Sequence, residues 1–87
     1  MEDIKSEIKK SLERLDYYER LANEKQDAWD DDPFNPDREA AADEAYDIQY
    51  REFVHVVHMI VRFSGIDESV ARTMVAKNRE RLVAIVA

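Results

Sequence analysis

Asp30-Asp31-Asp32-Pro33-Phe34-Asn35-Pro36 decides how this chain folds. Each proline disfavours helix in the residue before it, so two prolines three positions apart end whatever helix precedes them. Asn35 followed by Pro36 then reads as a fresh start. The asparagine caps open amide groups, and proline at the first helical position loses no hydrogen bond. Asp37 and Glu39 fall in the first turn, where negative charge suits the helix dipole. The stretch is therefore a tight connection between two helices, not a linker between domains.

Upstream, Asp3 is a candidate cap. Ile4, Ile8, Leu12, Leu15, Tyr18, Leu21, Ala22 and Trp29 recur at spacings of three and four, which draw one apolar stripe on a helix over about 3–29. Asp16 and Arg20 are spaced for an i,i+4 pair worth about 0.3 kcal/mol. Downstream, the second helix should run over 36–64, closed by Gly65 in a left-handed conformation. Its second half is apolar on most sides. Polar groups occupy one strip: Glu44, Asp47, Arg51, His55, His58 and Arg62. A face that wide needs at least two neighbouring helices. Asp67 caps a third helix expected over 67–86, with Val70, Ala71, Met74, Val75, Leu82, Ile85 and Val86 on its inner side. Asn78 falls in that stripe, either as a polar residue at the core edge or as a register pin in a helix interface.

Composition agrees. The chain has 87 residues, one Gly, two Pro and no Cys. So few breakers do not build a sandwich or barrel. The expectation is all-α: one helical domain over 1–87, a long helical hairpin plus a third helix in a three-helix antiparallel bundle. A chain this short buries a marginal core, and the apolar surplus at Val54, Val61, Val83 and Val86 points to self-association as a homodimer. Without cysteine there are no disulfides or thiolate metal sites. No apolar span or leader-like stretch is present in the sequence, so the cytoplasm is the expected compartment and no membrane partner is expected.

The charge is the most distinctive feature. Net charge is −7, but Asp27 to Asp47 contains nine carboxylates against Arg38 alone, or −8. The rest of the chain is +1. A solvated face that aids solubility is one reading. The other is a docking surface for a basic protein, formed by Trp29, Asp30, Asp31, Asp32, Phe34, Asp37, Asp43 and Asp47. Aromatics among carboxylates suit Arg and Lys through cation–π and ion-pair contacts. A small inhibitor or DNA mimic of a phage or mobile element would fit this description.

Other chemistries are weaker. Glu52-Phe53-Val54-His55 has the Glu-x-x-His spacing of di-iron bundles, but His55 falls on the polar strip and Glu13, level with Glu52, points off the apolar stripe. The acidic connection lacks an EF-hand's fifth ligand, because Phe34 stands there, and lacks its glycine. Glu13/Asp16 and Glu44/Asp47 are chance pairs in an acidic helix. No phosphate loop or nucleophile–base set is present in the sequence. No enzyme activity, metal or cofactor is expected. Gly65-Ile66-Asp67-Glu68-Ser69-Val70-Ala71-Arg72 loosely matches a helix-turn-helix corner one residue short. Arg72, Lys77, Arg79 and Arg81 would be its DNA contacts, a thin footprint beside −8 elsewhere. The expected function is a non-enzymatic protein–protein interaction module. A DNA-binding module and a metal-binding bundle are the alternatives.

Overall fold

The computed structural model describes residues 3–86, with side chains up to residue 84. All its regular elements are helices: α1 (Ile4–Asp31), α2 (Pro36–Ser64), α3 (Glu68–Lys77) and α4 (Arg79–Val86). The chain is thus all-α. The longest dimension, 45 Å, is set by α2, whose 29 residues at about 1.5 Å each span about 43 Å.

The caps sit where the sequence puts them. The Asp3 carboxylate accepts from the Ser6 amide at 2.8 Å. Asn35 Oδ1 accepts from the amides of Asp37 at 3.0 Å and Arg38 at 3.3 Å. Asp67 accepts from the Ser69 amide and hydroxyl. These bonds from Ser69 hold the Asp67 carboxyl below the usual aspartate range. Gly65 closes α2 at φ 71°, a conformation costly for any side chain.

α2 folds back along α1. Two contacts fix the register: Glu52 accepts from Ser11 Oγ at 2.8 Å and from Arg14 Nε at 2.6 Å. Ser11 is fully buried inside the apolar stripe, and Glu52 gives its hydroxyl the partner that burial demands. At the open end of the hairpin, Ile8, Leu12 and Leu15 of α1 pack with Val56, Val57, Met59 and Ile60 of α2. Ala71 and Val75 of α3 and Leu82 of α4 complete that core. The second half of α2 is thus covered from more than one side, as its wide apolar face requires. Its strip from Glu44 to Arg62 stays exposed.

The expected third helix over 67–86 is divided. Asn78 leaves helical geometry at φ −144°, ψ 52°. Its amide closes α3 on Met74 O, and its carbonyl accepts from the Leu82 amide to open α4. The apolar pattern runs through the break, so the cause is tertiary. The turn lets Arg79 bond Asp16 and Glu19 of α1 while Leu82 is buried. Asparagine is among the weaker helix formers, so breaking there costs little. Asn78 itself is exposed and lies outside the core of the chain. Asp16, expected to pair with Arg20, is taken by Arg79. The carboxylates of Glu19 first, then Asp16, push the Arg79 guanidinium above its usual range, so it stays charged.

Candidate functional site: the acidic end of the hairpin

The hairpin has two unlike ends. The core and the α3–α4 corner occupy one. At the other, α1 and α2 continue alone, touching through small residues: Ala22 and Ala42 are fully buried and Ala45 is nearly so. Alanine lets two helices approach closely, and their remaining surface points to water. Nearly all of the −8 segment lies on this arm and its tip.

The tip is ordered by its own hydrogen bonds. The Asp32 amide donates to Trp29 O at 3.0 Å, and the Asn35 amide to Asp32 O at 3.0 Å. Trp29 Nε1 donates to Pro33 O at 3.3 Å. Arg38 Nη1 donates to Ala28 O at 2.8 Å, satisfying a carbonyl that the end of α1 leaves open. The one cation of the segment is thereby spent inside the tip. Trp29 lies half-buried beneath the turn, and Phe34 stands 94% exposed at its apex. Phe34 is thus a large aromatic held on an ordered turn with little packed against it.

Asp30, Asp31, Asp32 and Asp37 surround this apex and are exposed. Asp30 accepts from Gln26 at 2.9 Å. Asp31, Asp37 and Arg38 line a shallow hollow with Lys25, Ala28 and Ala41. Asp43 and Asp47 lie nearly two and nearly three turns further along α2, and Asp47 pairs with Arg51 at 2.6 Å. The structure therefore gathers Trp29, Asp30, Asp31, Asp32, Phe34 and Asp37 at one place. Asp43 and Asp47 extend it along one helix instead of joining the cluster.

The residues proposed for self-association are not gathered so well. Val54 and Val61 are half-buried, and Val61 packs against the core. Val83 is 51% exposed. The Val86 side chain lies outside the described residues. Val70 on α3, 49% exposed, borders an apolar groove of about 260 Å³ with Ile60, Phe63, Ile66, Met74 and Leu82.

The other chemistries find less. Glu52 of the Glu-x-x-His pattern is engaged by Ser11 and Arg14, and His55 is exposed. Among the described residues no three His, Asp or Glu side chains converge as metal ligands. On the C-terminal helices, Arg72 is 3.3 Å from Glu68 and Arg79 is turned onto α1. That leaves Lys77 and Arg81, of the four expected DNA contacts, outside ion pairs among the described residues. No helix among the described residues is long and apolar enough to cross a membrane.

The sequence reading missed three exposed tyrosines: Tyr17 at 54%, Tyr46 at 40% and Tyr50 at 58%. The signal for two of them was present. Tyr46 and Tyr50 stand four apart on α2, off the Ala42/Ala45 contact line.

Neither a protein-family model nor a curated protein nor a solved structure matches this chain.

Proposed function

We propose that this chain is a non-enzymatic interaction module whose acidic arm binds a basic protein surface. One observation carries the reading. The −8 segment is presented on a two-helix arm whose ordered tip exposes Phe34, with its single cation, Arg38, bonded to the last turn of α1. Carboxylates would steer a basic partner and set its register, and Phe34 would anchor it. A small inhibitor that imitates the charge of DNA is one form such a module takes. DNA binding through α3 is the weaker reading, because Arg72 and Arg79 are engaged within the chain.

The test is affinity capture with the intact protein, with and without nuclease, against the Asp30→Lys/Asp31→Lys/Asp32→Lys and Phe34→Ala variants. All four positions are exposed, so the fold should survive, as circular dichroism would verify. A basic protein retained after nuclease treatment, and lost with either variant, is the expected result. Capture unchanged by charge reversal would end the reading. Capture abolished by nuclease would favour nucleic acid.

We also propose that the C-terminal helices pair with those of a second copy, supported by Val70 and Val83, each about half exposed. Sedimentation at micromolar concentration should give a dimer that Val83→Asp dissociates. A monomer mass for the unaltered chain would rule this out.

A further inference from the structure

The basic partner would meet more than the tip. Steps of three and four along α2 from Tyr46 pass through Tyr50, Val54 and Val57 to Val61. At Val61 that face is flanked by α3: His58 lies 3.9 Å from Glu68, and Val57 and Val61 belong to or pack on the core. α3 thus covers this face over the C-terminal half of α2, while α4 packs on α1 and α3. Nearer the tip on the same face, Tyr46 and Tyr50 are 40% and 58% exposed.

The exposed face has a definite chemistry. Asp43 and Glu39 lie on the same side of α2, about one and two turns toward the tip from Tyr46, exposed and without an ion-pair partner among the described residues. Asp47 beside them pairs with the exposed Arg51. Two phenol rings interleaved with three carboxylates match the guanidinium group. It can stack flat on a tyrosine and donate two parallel hydrogen bonds to a carboxylate. An ammonium group can do the second only as a point charge.

We propose that Tyr46 and Tyr50, with Glu39, Asp43 and Asp47, form the docking face for an arginine-bearing helix of the partner. That helix lies along α2 and continues the cover that α3 begins. The proposal rests on the acidic-arm reading above and deepens it: the partner is helical, and its cations are arginines.

The test titrates the full chain at low salt with two alanine-based helical peptides, identical except that one bears arginine along a face and the other lysine. The unaltered protein should bind the arginine peptide more tightly. Tyr46→Ala/Tyr50→Ala should weaken that binding roughly tenfold, to about the level of the lysine peptide, by removing two stacking contacts. Tyr50→Phe, which keeps a ring, should bind as the unaltered chain does. The Asp30→Lys/Asp31→Lys/Asp32→Lys variant should weaken both peptides alike, through charge alone. Equal affinity for the two peptides, or a double alanine variant that binds like the unaltered protein, would overturn the docking face while leaving the acidic-arm reading intact. If neither peptide binds, both fall.

Discussion

The two ends of the hairpin are built on opposite principles. At the open end, large side chains from four helices close over Leu15, Val57 and Leu82, each essentially inaccessible to water. At the closed end, two helices meet through Ala22, Ala42 and Ala45, and every larger group near them is at least partly wet. The first arrangement removes much apolar surface from water and holds the fold. The second removes little, and it concentrates like charge. Helix formation there relies on the caps at Asn35 and Arg38 and on continuity with the core. What differs is therefore stability against exposure: one end is committed to itself, and the other leaves its side chains in water.

The largest expected effect breaks the committed end. Leu15→Ala should cost about 3 kcal/mol, the sum of lost burial and a residual cavity. Chemical denaturation would measure it. A loss below about 1 kcal/mol would mean that the core does not hold the fold. Ala42→Leu probes the other end. It overpacks the alanine contact and should cost about 2 kcal/mol. Because the arm has no third helix, its two helices can splay. Faster amide exchange should then stay within residues 18–48 and leave the core protected. Uniform acceleration would show instead that the two ends unfold together.

The join between the ends comes next. Arg79 is 23% exposed and bonds the partly exposed Glu19 and the more open Asp16. Its loss falls between a surface pair and a buried one, so Arg79→Ala should cost about 1–2 kcal/mol. Arg79→Lys should recover only part, since a lysine cannot grip both Glu19 oxygens in parallel. Full recovery by lysine would reduce the contact to bare charge. The smallest effect lies at the Asp67 cap and depends on pH. Bonds from Ser69 depress the native carboxyl below its ordinary 3.8. The stability it confers is therefore complete above that ordinary value and lost as pH falls through the depressed one. The stability gap between the unaltered chain and Asp67→Ala should be constant near neutral pH and close below about pH 3.8. A gap that widens on acidification would reverse the sign.

Most of the helical framework was legible in the sequence, because local chemistry writes it. Asn35, Pro36, Gly65 and Asp67 each have a backbone role that a single residue reveals, and α2 begins and ends where they place it. The strip from Glu44 to Arg62 likewise follows from spacing alone. The break at Asn78 was not legible. The apolar pattern passes through it without a signal, and its cause is an arginine finding two carboxylates some sixty residues away. Asp16 offered a nearby partner in Arg20, and the distant one prevailed. Ser11 was masked for a similar reason: only the register of the hairpin brings Glu52 to it. At the acidic end, the charge and the apex aromatics were visible in sequence. The spacing of Tyr46 and Tyr50 was visible as well, but their exposure was not, because it depends on how far α3 reaches along α2.

Residue-resolved amide exchange of the full chain, free and with the arginine peptide at low salt, tests the division between the two ends most directly. In the free chain, amides around Leu15, Val57 and Val75 should be protected far more than those around Ala22 and Ala42. Added peptide should raise protection along the arm, most around Tyr46 and Tyr50, and leave the core as it was. Equal protection at both ends in the free chain, or a gain confined to α3 and α4, would contradict the account.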